Sequence, residues 1–81
     1  MKIKFNTFEN VNKFVKNVAS LESDVFVKSG RCVVDGRSIL GIYSLDLSNE
    51  LELEVIEKKD GEIDELIKIL SEMNILIDIG A

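Results

Sequence analysis

Residues 36–57 read GRSILGIYSLDLSNELELEVIE, and this stretch decides the fold. Ser38 opens a short apolar segment running to Leu45, which Gly41 interrupts, and Asp46 to Asn49 form a polar turn. The segment that follows alternates strictly: Leu51, Leu53 and Val55 share one face, while Glu50, Glu52 and Glu54 share the other. That period of two belongs to an antiparallel strand with one face in the core and the other wet or beside an acidic surface. A ferredoxin-like βαββαβ fold would need a full-length helix before this strand. The segment from Arg37 to Asn49 is too divided by its glycine and its turn to supply one.

Toward the N-terminus, Lys2 to Phe5 alternates with Ile3 and Phe5 on one face, as a half-buried strand does. Phe8, Val11, Phe14, Val15 and Val18 then recur at spacings of three and four, the stripe of an amphipathic helix. Asn6 or Thr7 can cap it, and Glu9 sits at the capping-box position if Asn6 is the cap. DVFVKSGRCVVDG, residues 24–36, reads as two strands joined at Ser29-Gly30, with Asp35-Gly36 closing the second. Beyond Asp60-Gly61, the spacing of Ile63, Leu66, Ile67, Leu70 and Met73 predicts a last helix. The acidic pair Glu62 and Glu65 is expected on its solvated face. The order βαββαβα implies an α+β fold, a four-stranded antiparallel sheet with helices on one face. Phe14, Val18, Leu53, Val55, Ile63, Leu66 and Leu70 are its expected core, with Ile42 and Leu45 also buried. The apolar tail Ile75 to Ala81 either packs on the sheet, pairs with an edge or meets another subunit.

The 81 residues form one domain in this reading, and a chain of this size buries only ~60% of its unfolded surface, enough for one modest core. With 46% hydrophobic and 31% charged residues and no proline, the composition is that of an ordered globular protein. A formal charge of −5 without a basic cluster argues against nucleic acid and anionic membrane surfaces. Cys32 is the only cysteine, which fits a reducing, cytoplasmic setting. MKIKF is too short and charged for a signal peptide, and no apolar run is long enough for membrane insertion. No metal-ligand cluster or glycine-rich phosphate loop is present, so no cofactor is implied.

Taken together, SGRCVVDGRSILGIYSLDL and the element order resemble the phosphocarrier HPr family of the bacterial phosphoenolpyruvate:sugar phosphotransferase system, over Lys2 to about Asn74. The resemblance implies an open-faced β-sandwich. It places Thr7 where the family carries its phosphoacceptor histidine and Glu9 where it carries an arginine. Imidazole accepts a phosphoryl group at neutral pH and releases it again, whereas a threonine ester is stable and traps it. The chain has no histidine at all, and Glu9 would repel an incoming phosphate. The phosphocarrier role therefore does not carry over, and no enzymatic activity is expected.

Ser38 matches the serine that Gram-positive members present to a regulatory kinase, and Ile39, Leu40 and Tyr43 match the outward-facing residues that partners grip. Thr7 and Ser38 each have a second reading as plain helix caps. The expectation is a protein-binding, regulatory module whose partners are phosphotransferase-system or carbon-regulation proteins. The alternative is a structural or ligand-binding subunit of a larger assembly that reuses the fold.

Overall fold

The computed structural model describes residues 1–80. Its elements are β1 (Lys2–Ile3), α1 (Phe8–Ala19), β2 (Asp24–Ser29), β3 (Cys32–Asp35), α2 (Ile39–Tyr43), β4 (Leu51–Ile56), α3 (Glu62–Glu72) and β5 (Leu76–Asp78). All strand pairs are antiparallel, in the order β3-β2-β4-β1-β5. The expected sheet of four is thus one of five: the tail takes the edge-pairing option and adds β5 beside β1. Asn74 makes the turn with φ of 57°, Ile75 is buried, and Ile75 O accepts the Lys4 N–H at 2.9 Å. Ala81 lies outside the described residues.

Alternation on the strands separates the two faces of the sheet. Ile3, Val25, Val27, Leu51 and Leu53 point under the helices and are buried. On the open face Lys28 forms an ion pair with Glu54, and that hydrogen bond and negative charge raise the lysine pKa. Phe14 and Val18 from α1, Ile42 from α2, and Leu66 and Leu70 from α3 complete the core, with Leu45 from the segment after α2. Phe5 meets Phe14 edge to face at 5.2 Å between ring centroids. Val55 and Ile63, expected in this core, are only partly buried. Both lie at element ends, where the layer above or below them gives out. Phe8 departs further: it is 70% exposed, because the first residue of α1 has Tyr43 beside it and not the sheet beneath it.

Gly41 does not break α2, which runs through it from Ile39 to Tyr43. It marks a close approach: a Cβ built there would lie 2.9 Å from Ser38 Oγ and 3.2 Å from Val34 Cβ on β3. The glycine lets the short helix sit down on the sheet.

Glu62 also departs from expectation. It is 5% exposed, whereas Glu65 faces solvent. Its carboxylate accepts from Ser23 Oγ at 2.6 Å, from Ser23 N at 2.8 Å and from Glu22 N at 3.0 Å. Ser23 Oγ in turn accepts from Lys58 N, and Arg37 Nη2 donates to the carbonyls of Leu21 and Ser23 at 2.8 and 2.9 Å. The Ser23 hydroxyl first, and the two peptide N–H groups after it, hold the Glu62 carboxyl below its ordinary pKa against the opposing effect of burial. The N-cap of α3 is Gly61 at φ of 89°, which brings no side-chain cap, so Glu57 reaches over and accepts from Ile63 N at 2.9 Å.

Candidate functional site: the start of α1 against the end of α2

The start of α1 lies against the end of α2, where Phe8 meets Tyr43. Thr7 is the N-cap of α1: its Oγ1 accepts from Asn10 N at 3.1 Å. Asn6, the other candidate cap, takes φ of 67° and donates its side-chain amide to Lys4 O. With Thr7 as cap, the capping-box position falls on Asn10, which donates to Phe5 O at 2.8 Å. Glu9 is not part of a box. It points into solvent and pairs with Lys13 one turn later at 3.3 Å.

Ser38 caps α2 in the same manner, its Oγ accepting from Gly41 N at 3.1 Å, and the residue is exposed. The preceding Arg37 is the one anchored to the 21–23 turn, so the entry to α2 is fixed from behind. Leu40 is 79% exposed and Tyr43 37%. Ile39, expected beside them on the surface, is partly buried against the core. A five-residue helix lying on a sheet must turn some of its apolar positions inward, and Ile39 joins Ile42 there.

The outward apolar cluster therefore consists of Leu40, Tyr43 and Phe8. Phe8 and Tyr43 stack edge to face at 5.6 Å, and the Tyr43 hydroxyl donates to Asn12 Oδ1 at 3.0 Å. These two contacts tie α1 to α2. Phe8 was missed as a surface residue because its position fits the buried stripe; its place directly after the cap residue is the signal that could have marked it.

Beside this cluster lies an open pocket of about 250 Å³, lined by Phe5, Asn6, Thr7, Phe8, Leu47 and Ser48. Its lining combines the apolar Phe5, Phe8 and Leu47 with the polar Asn6, Thr7 and Ser48. The polar turn is ordered by Asp46, whose carboxylate accepts from Ser48 Oγ, Ser48 N and Asn49 Nδ2, and the Ser48 hydroxyl chiefly lowers its pKa. Thr7 and Phe8 are thus brought beside Tyr43, while Ser38 lies at the opposite end of α2 and Glu9 pairs with Lys13 in solvent. The hydroxyls of Thr7 and Ser38 act as cap acceptors.

An open-faced α+β sandwich, a five-stranded antiparallel sheet with three helices, defines the class. Within it, the family model described as PTS HPr component phosphorylation site matches residues 9–73, and the chain belongs to that HPr family. The match begins at Glu9, so β1 and Thr7 precede it and β5 follows it. Comparison with curated proteins and with solved structures gave no match. Among the described residues no helix is long and apolar enough to cross a membrane.

Proposed function

We propose that this chain is a cytoplasmic, non-catalytic member of the HPr family that does not relay phosphoryl groups and acts by docking. Its partners are proteins of the phosphotransferase system or of carbon regulation, gripped through Leu40, Tyr43 and Phe8. The observation that carries the reading is the pairing of a loss with a retention: the chain contains no histidine, while an apolar patch stays exposed at the family's site face. An aromatic pair beside a leucine, rimmed by polar groups, is the composition of an interface centre. Ser38 is the proposed regulatory position, since an exposed hydroxyl at an ordered helix start accepts a phosphate without burying its charge.

Two measurements test this. Incubation with the upstream phosphotransferase enzyme and labelled phosphoenolpyruvate should leave the chain unlabelled, and acid-labile label on it overturns the reading. Titration against phosphotransferase-system and carbon-regulation proteins should find a partner whose affinity falls about tenfold or more in Leu40→Asp, an interface-centre change, with the melting temperature unchanged. The pocket beside Thr7 favours the alternative of a ligand-binding subunit. Leu40→Asp without effect on any such partner would shift the assignment there.

A further inference from the structure

The sheet has two free edges, β3 and β5, and they differ in how well they could template another strand. β5 has three residues, its register against β1 shifts between Lys2 and Ile3, and Asp78 ends it by accepting from Gly80 N. Short length and irregular register are the devices that blunt an edge. β3 is short too, but its register is regular. Its four residues pair with β2 in unbroken register from Ser29↔Cys32 to Phe26↔Asp35, and it holds no lysine or proline.

The direction of its free peptide groups follows from the hairpin. The two-residue turn Gly30-Arg31, with Gly30 at φ of 58°, closes on the pair Ser29 and Cys32. On the same ladder Gly36 N donates to Val25 O at 2.7 Å, so the even-numbered positions of this strand bond inward to β2. Antiparallel ladders alternate, and the peptide groups of Val33 and the N–H of Asp35 therefore point outward from the edge. Val33 itself is 54% exposed on the open face.

The charges at the ends of this edge complement each other under a two-fold rotation. With Val33 opposite Val33 of a second copy, Arg31 falls opposite Asp35, twice. Asp35 Oδ1 is engaged by Arg37 N at 2.8 Å and lies 3.9 Å from Arg37 Nη1, while Oδ2 is left for the incoming guanidinium. Lys28, directly across β2 from Val33, is neutralised by Glu54 and places no free cation at the axis. From this self-complementarity we infer that β3 pairs antiparallel with β3 of a second copy of this chain, joining two five-stranded sheets into a closed, two-fold dimer.

Sedimentation of the full chain over a concentration series, with reductant present to keep Cys32 from cross-linking, should show a reversible monomer–dimer equilibrium. Arg31→Asp and Asp35→Arg should each weaken it about tenfold, and the double variant should recover to within about threefold of the original. Because Asp35→Arg also removes the contact to Arg37 N, a second reading uses the unaltered chain: exchange of the Val33 amide should slow as concentration rises. A monomer throughout the series, single variants that dimerise normally, a double variant that stays weak, or Val33 exchange independent of concentration would each overturn the inference.

Discussion

Glu62 shows how one residue can change role with its surroundings. A carboxylate in the first turn of a helix is ordinarily a solvated partner of the helix dipole. Here it closes the 22–23 turn against the start of α3 and, through Ser23 and Arg37, backs the entry to α2. Its folded pKa lies below the ordinary value of 4.5, so the unfolded chain binds the proton more readily. The stabilisation from this group is complete above the unfolded pKa and is lost as pH falls through the lower folded value. Urea midpoints of the native chain and Glu62→Gln should therefore differ most near neutral pH, with the native chain the more stable, and converge as pH falls below the ordinary carboxyl range. A gap that stays constant with pH would mean that the carboxylate is not held in its charged form.

At the scale of elements, α2 depends on a glycine that sequence logic treats as a flaw. Propensity alone makes Gly→Ala favourable by about 1 kcal/mol in a helix. In α2 the added methyl would crowd Ser38 Oγ and Val34 Cβ, and Ser38 is the cap itself. Gly41→Ala should therefore lower stability, by about 1 kcal/mol as overpacked sites do, and lift α2 from β3. Calorimetry checks the sign, and a raised melting temperature would show that the contact is slack. The inner face of β3 packs against the same helix. At the opposite edge β5 contacts α3, which extends the sandwich by one strand beyond the expected four.

Across the whole molecule, stability rests on one cluster fed by both layers, with Leu53 at 4% exposure in a central strand. Leu53→Ala should cost about 2–5 kcal/mol, a large share of the stability of a domain this small. Val55→Ala on the same strand should cost clearly less, because Val55 is only partly buried. Chemical denaturation of both variants tests the ranking, and equal losses would put Val55 back in the core. The formal charge of −5 is spread over a molecule whose open face carries paired charges, while the apolar patch sits on the helix side.

The amino-acid sequence by itself determined the order of the first seven elements, the family, and the absence of any histidine from the chain. Alternation at residues 50–55 and the three-and-four spacing of Val11, Phe14 and Val18 are local patterns, and each demands a buried face whatever lies opposite. Ser38 as cap was legible from the preference for serine at helix starts, and the outward Leu40 and Tyr43 through the family motif. Tertiary structure decided the rest. Phe8 lies on the surface because the helix end meets Tyr43, 35 positions along the chain, and Ile39 turns inward because α2 lies on β3. Glu62 is buried because the turn that satisfies it lies 39 residues away. Periodicity states which faces are apolar, but which neighbour covers a helix end, a carboxylate or a short tail depends on contacts between distant segments, and these exist only once the chain has folded.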